Sequence, residues 1–281
     1  MRRTALTILA AVLMQFSAGA QAESVVFPFM EFSHDATSSA RAGATLLDDG
    51  SDIRVAYQNW APSGTSYANV SGQYTFAGKF TLKAGGGYGS DKSYEMMDDI
   101  SSQAYRYASS ETYFHAGFSY RFIDFLGVEA TAKYAGNRIA PHSSINGFCA
   151  DVLIRAWAKD FKFAAGVTNA GPDVQGFKLP AAVAVAAGYA KSIEEGFETH
   201  SVEAELDVKY FLYGEVGGSF GISYTYNNML SVRCGFHAGG IVGNHASLGI
   251  GFNFKGFHID GTYLAGGQIT NSFGIGLGYK F

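Results

Sequence analysis

Seven histidines and two cysteines are the side chains in this 281-residue sequence best suited to nucleophilic, acid–base or metal chemistry. Their spacing joins few of them. His258 and Asp260 lie two apart and in a strand would share a face. A carboxylate beside an imidazole can orient a general base, but neighbouring groups of opposite polarity in a sheet are more often structural. No His, Cys or carboxylate spacing recurs as a metal-ligand set, and two cysteines are too few for a zinc centre or a disulfide scaffold. Gly274, Gly276 and Gly278 alternate like a phosphate loop yet precede no helix that would aim amide groups at a phosphate. These residues predict a protein that is not an enzyme and has no catalytic residue, cofactor or metal.

The elements that carry these residues follow from a two-residue period. Val202, Ala204, Leu206, Val208 and Tyr210 alternate with Ser201, Glu203, Glu205, Asp207 and Lys209. Phe114, Ala116, Phe118, Tyr120 and Phe122 alternate with His115, Ser119 and Arg121, and Phe273, Ile275, Leu277, Tyr279 and Phe281 with glycine and Lys280. Successive strand side chains face opposite ways, so each segment has one apolar and one polar or small face. Fourteen such segments lie near 51–59, 67–76, 79–88, 110–122, 126–135, 147–158, 161–168, 180–190, 200–213, 216–226, 230–238, 246–254, 257–265 and 273–281. Most have the length of a tilted membrane strand rather than a soluble one. A soluble sandwich also alternates; strand length and aromatic placement favour the barrel.

Composition agrees. The chain has 36 Gly, 15% aromatic and only 16% charged residues, which disfavours both disorder and a helical bundle. A net charge of −4 gives no electrostatic reason to expect nucleic acid. Arg2 and Arg3, the apolar run from Ala5 to Met14, and Ala20-Gln21-Ala22 read as a signal peptide over residues 1–22, cleaved before Glu23. The fold expectation is an all-β outer-membrane barrel of about fourteen antiparallel strands (twelve is the alternative) over 51–281, in the bacterial cell outer membrane. Residues 23–50 precede it as a plug or, alternatively, a loose periplasmic tail.

Turn lengths orient the barrel. Short turns at 77–78, 123–125, 159–160, 227–229 and 255–256 belong in the periplasm, and longer ones at 60–66, 89–109, 136–146, 169–179, 239–245 and 266–272 outside. One pair breaks the pattern: 191–199 is long where a periplasmic turn is due, and 214–215 is short. On the apolar faces, rings collect toward both ends of the segments, as interfacial belts do. Inward charges are mixed, with Lys83, Lys133, Arg155, Lys209 and Arg233 among Glu129, Asp151, Glu203, Glu205, Asp207 and Asp260. Near balance predicts salt-bridge networks in a narrow or filled interior. Cys149 falls on an inward face and Cys234 on an outward one, too far apart for a disulfide.

Short motifs are similar to one family. Asp35-Ala36, the run Ala40 to Ala44 around Arg41 and Gly43, and Tyr57-Gln58-Asn59-Trp60-Ala61 resemble the opening of the PorV/PorQ barrels, relatives of the FadL transporters found with the type IX secretion system. Asn169-Ala170-Gly171-Pro172, Leu179-Pro180 and Lys255-Gly256-Phe257 fit the same pattern, whereas proline comes one place late in the first motif, at Pro62. The resemblance implies that residues 23–50 plug the barrel, with Asp35, Arg41, Gly43 and Asn59 as family positions. It also implies partner binding or scaffolding in protein secretion, with secretion-system subunits or cargo C-terminal domains as partners beside membrane lipid. A FadL-like conduit for small hydrophobic compounds is the alternative. Tyr279 and Phe281 resemble the C-terminal signal of outer-membrane barrels. The longest loop carries Tyr94, Met96, Met97, Tyr105 and Tyr107 among charges, a composition suited to a partner surface or to a solvent-facing loop.

Overall fold

The computed structural model describes residues 25–48, 50–60, 64–97, 104–267 and 271–281. The proposed signal peptide lies outside them, as do Glu23, Asp49, Ala61 and Pro62. Fourteen long strands close into one antiparallel barrel. They are β1 (Asp52–Trp60), β2 (Thr65–Phe76), β3 (Phe80–Ser90), β6 (Ser110–Ile123), β7 (Leu126–Ala140), β8 (Ser143–Ala158), β9 (Phe161–Ala170), β10 (Ala182–Glu195), β11 (Glu198–Phe211), β12 (Val216–Tyr226), β13 (Leu230–Gly239), β14 (His245–Phe254), β15 (Phe257–Ala265) and β16 (Ser272–Lys280). Between β3 and β6 a small hairpin, β4 (Tyr94–Met96) and β5 (Tyr105–Tyr107), forms its own sheet. The barrel closes where Asp52 pairs with Lys280 and Asn59 with Phe273. Closure leaves the wall without a strand edge, the condition for a sheet to cross a bilayer.

The two faces follow the alternation. Ile53, Val55, Val70, Phe118, Val152, Leu206, Leu248, Ile259 and Leu277 are all exposed on the outer wall. Thr131, Glu205, Asp207, Ser219, Ser247 and Asp260 are buried inside. An apolar exterior around a polar interior is the arrangement a bilayer stabilises and water does not, and the chain is an outer-membrane barrel. Cys149 is buried inside and Cys234 exposed outside, as their register requires.

Three loop expectations change. The segment 191–199 is no long turn: β10 and β11 stay paired to Glu195↔Glu198, so only residues 196–197 turn the chain. All turns at the end that carries Phe281 are thereby short, which makes it the periplasmic end. Alternation fades over 191–199 because Lys191, Ser192, Ile193, Glu194 and Glu195 are exposed on both faces. At the other end, β7 and β8 stay paired to Ala140↔Ser143, so most of 136–146 is strand. The third case is 89–109, which holds β4 and β5 rather than irregular loop. Tight turns use backbone that suits them: Lys255 and Gly256 both have positive φ, 50° and 87°, the signature of a two-residue hairpin turn.

Residues 25–48 contact the inward faces of the wall. Val25 bridges to Lys178 at the outer end. A 3-10 turn (Pro28–Glu31) and a single helical turn, α1 (Ala36–Ser39), follow. The chain then reaches the start of β1 at the periplasmic end.

Candidate functional site

The best-connected polar cluster lies between residues 25–48 and the inward faces of β7 to β11. Its centre is Arg41, which donates to Asp48 at 2.5 Å and to Glu205 at 3.3 Å, with Arg41 and Glu205 buried and Asp48 partly exposed. Glu205 also accepts the Leu47 backbone N–H at 2.8 Å. Asp207, two residues along the same face, accepts the N–H groups of Thr45 and Leu46 at 2.8 and 3.1 Å. Two β11 carboxylates therefore hold three consecutive backbone donors that no secondary structure satisfies. Further along the same face, Lys209 donates to Glu31 at 2.8 Å. Asn169 ties in β9: its amide donates to Glu31 at 2.6 Å and its oxygen accepts from Lys133 at 2.9 Å. Its backbone N–H donates to Asp151 at 2.7 Å.

Glycine makes room for this segment. A Cβ at Gly221 would sit 2.6 Å from Arg41 Cβ, and one at Gly235 would overlap the Arg41 backbone. Gly276 faces Ala36 and serves close approach there, whereas Gly274 and Gly278 make room for the wall residues Thr262, Gln58 and His258. Other inward charges pair within the wall. Glu129 bridges Lys83 and Arg155 at 2.8 Å each, Lys133 meets Asp151 at 2.6 Å, and Arg233 meets Asp260 at 2.5 Å. His258 approaches Asp260 only at 3.9 Å, on the oxygen that Arg233 does not hold. Arg233, rather than a serine or cysteine, completes that group, so the geometry is that of a structural ion cluster.

The outer mouth is built differently. Phe27, Phe29, Trp60, Tyr67, Ile145, Val174 and Leu179 form one buried cluster, with Phe32 and Tyr113 against it. Trp60 lies 4.3 Å from both the Phe32 and Tyr67 rings, and His34 4.4 Å from Tyr113. Below the mouth lie several cavities, two of them larger than the rest of those described. One of about 330 Å³ lies between the segment and β2, β3, β6 and β7, and one of about 590 Å³ faces the periplasmic end. Both are lined by Asp48, Asp52 and Arg54, which places them side by side.

The residues singled out by motif scatter over these structures. Asp35 caps α1, accepting from Thr37 N at 2.9 Å, and pairs with Arg54 at 3.5 Å. Arg41 is the centre of the cluster, and Gly43, with φ of 81°, turns the chain just after it. Asn59 does not join them: it faces outward on β1 and donates to Ser66 at 3.2 Å. Tyr279 and Phe281 lie on the outer wall, their rings 5.5 Å apart, and Phe281 N–H closes onto Ser51 at 3.0 Å. Tyr94 and Tyr107 pair across the small hairpin. Tyr107 donates to Arg138 O at 2.8 Å, and Tyr94 to Ile139 O at 3.5 Å, which docks the hairpin on the outer end of β7. Met96 lies 3.9 Å from the Tyr105 hydroxyl, and Met97 is exposed. The motifs did not single out Glu31, Lys209 and the aromatic mouth. The inward glycines at 221 and 235 were the readable sign of a close-packed interior segment.

No family model and no curated protein matches the chain. It is similar to the outer membrane protein Omp33 of Acinetobacter baumannii, with 12% identity over 82% of this chain and 96% of that one and a TM-score of 0.51. Weaker likenesses are to the KdgM porin, 11% identical over 82% and 99% with a TM-score of 0.41, and to a variant of the Rh. blastica porin, 13% over 82% and 98% with 0.39. The PorV/PorQ resemblance is thereby corrected: the fold likeness that carries weight is to Omp33, and neither a family model nor a curated relative supports PorV/PorQ. The motifs that suggested it have local causes, since Asp35 is a helix cap, Gly43 a turn and Asn59 an outward strand residue. The chain is an outer-membrane barrel that shares the fold of Omp33.

Proposed function

We propose that this is a non-enzymatic barrel in which residues 25–48 act as a plug, gating passage of small polar solutes across the outer membrane. The observation that carries the reading is the grip of Glu205 and Asp207 on the backbone N–H groups of residues 45–47, with Arg41 buried between Glu205 and Asp48. Those contacts hold the segment at discrete points and leave polar cavities beside it. A barrel of this size is wide enough to conduct once emptied, standing between small filled barrels and open porins. The cavity walls are mostly charged or hydrogen-bonding, which suits polar solutes better than a hydrophobic cargo. The test is planar-bilayer conductance. The full chain should be nearly silent, and deletion of residues 25–48 should give steady ohmic steps. Large open conductance in the full chain would defeat the reading, as would silence of a correctly folded deletion protein.

A further inference from the structure

The cavity beside the segment divides its polar groups into two sets. Every charged pair that lines it is already committed: Lys83 with Glu129, Lys133 with Asp151, Arg54 with Asp52 and Asp35, and Asp48 with Arg41. Ser71, Gln73 and His115 belong to the other set, with no side-chain hydrogen bond to any described residue. Asn69 belongs with them, because Tyr113 donates to its oxygen at 2.6 Å and leaves its amide nitrogen uncommitted. Ser71, Gln73 and Asn69 alternate on the inward face of β2, and His115 faces them from β6, one strand beyond β3. Aromatic side chains complete the wall. His34, Tyr113 and His115 stack in sequence, with centroids 4.4 and 6.2 Å apart and planes 24° and 7° from parallel.

A charged ligand entering here would have to compete for groups already ion-paired, and breaking a buried pair strands its partner. A neutral ligand rich in hydroxyls needs only the free amide, hydroxyl and imidazole groups, and its apolar ring face can rest on the aromatic stack. A volume of about 330 Å³ is within the range of small-molecule sites. We infer that this cavity is a binding site for a neutral saccharide, reached from the periplasmic side, where Asp48, Asp52 and Arg54 also line the neighbouring larger cavity. The inference rests on the plugged-barrel reading, since residues 30–35 form one side of the site.

The test uses the full-length protein in detergent and three hexose probes that differ in charge: methyl glucoside, glucuronate and glucosamine. Titration calorimetry should show saturable binding of methyl glucoside. Each charged sugar should bind about tenfold more weakly, because it meets committed groups. Gln73→Leu and His115→Phe, which keep shape but remove hydrogen bonding, should each weaken methyl glucoside binding about tenfold. Heat-modifiable migration on a gel checks that both variants fold. Equal or tighter binding of either charged sugar overturns the inference, as does binding that ignores both substitutions, or none at all. Deleting residues 25–48 should abolish sugar binding while opening conductance. If conductance opens but the full chain never binds the sugar, the plug stands and this site falls.

Discussion

The outer mouth and the lumen beneath it enclose the same segment by opposite means. At the mouth, Phe27 and Phe29 are 0% and 1% exposed among Trp60, Tyr67 and Leu179, and the space is filled by ring packing. Below, residues 41–48 are fixed by ion pairs and backbone hydrogen bonds, and cavities of about 330 and 590 Å³ persist beside them. Dispersion requires atoms to touch, so an apolar contact surface excludes water over its whole area. A charge-assisted hydrogen bond needs only its two partners aligned, so it fixes position without filling volume. In the proposed plug, the mouth is the seal and the lumen the tether. Freeing the tether should loosen the segment even with the seal intact.

The largest effect is expected where the tether is most concentrated. Arg41→Ala would leave Asp48 and Glu205 buried against each other without their cation, a loss of about 3–5 kcal/mol for a broken buried pair. The expected readout is rapid protease cleavage within residues 25–48 while the barrel stays folded. Protection equal to wild type would mean that the mouth alone holds the segment.

The inside–outside assignment beneath this comparison has its own test. Leu206 is exposed mid-strand on the outer wall, between Glu205 and Asp207 on the inner one. Leu206→Arg should cost about 2–4 kcal/mol of folding stability in lipid, as a basic residue near a bilayer midplane does. Asp207→Asn should leave barrel stability almost unchanged and act instead on protease protection of the segment. If refolding in vesicles ranks the two stabilities the other way, β11 is inverted.

How much of this the sequence carried depends on the range of the interaction. Strand faces are a local property, so Leu206 outward and Glu205 inward were legible from alternation, as were Cys149 and Cys234. The ends of β7, β8, β10 and β11 were not, because beyond the bilayer both faces meet water and the period loses its meaning. Ser144, Asn146, Ser192 and Glu194 look like loop residues for that reason. The inward charges predicted paired networks, and Lys83, Glu129 and Arg155 form one. Glu205, Asp207 and Lys209 pair instead with residues 31–48, and no spacing in the chain encodes contacts between residues more than 150 apart. Phe27, Phe29, Met30 and Phe32 could be read as one apolar cluster, but the wall it packs on could not, because Trp60, Tyr113 and Leu179 come from three distant places. The PorV/PorQ likeness failed because its motifs were short and each had a local structural cause.

Space rather than charge tests the tether next. Gly235 has no room for a side chain, since a Cβ there would overlap the Arg41 backbone. Gly235→Val keeps every ion-pairing side chain in the sequence and forces the segment away from β13, an overpacking cost of about 1–3 kcal/mol. Brief open events in the bilayer, rarer than in Arg41→Ala, are the expected result. If Gly235→Val stays as silent as wild type, close approach at β13 has no part in holding the segment.

The smallest effect belongs to the outer hairpin, which neither seals nor tethers. Its aromatic residues suggested a partner surface, and two of them also dock the hairpin, because Tyr107 and Tyr94 donate to the backbone of residues 138 and 139. Tyr107→Phe removes one such bond and should cost about 0.5–1.5 kcal/mol, confined to the hairpin. Hydrogen exchange should quicken at residues 94–96 and 105–107 and stay unchanged in β7 below Tyr134 and in residues 25–48. Exchange that quickens in the segment as well would make the hairpin part of the seal, and the division between mouth and lumen would have to extend to the loop above it. Met96 and Met97 do not donate to β7, so a Met96→Ser, Met97→Ser pair separates the two roles. Hairpin exchange should then hold steady, while any partner captured by this surface should bind more weakly. Faster exchange in that double variant would show that the methionines hold the hairpin down as well, leaving the loop little free surface to offer.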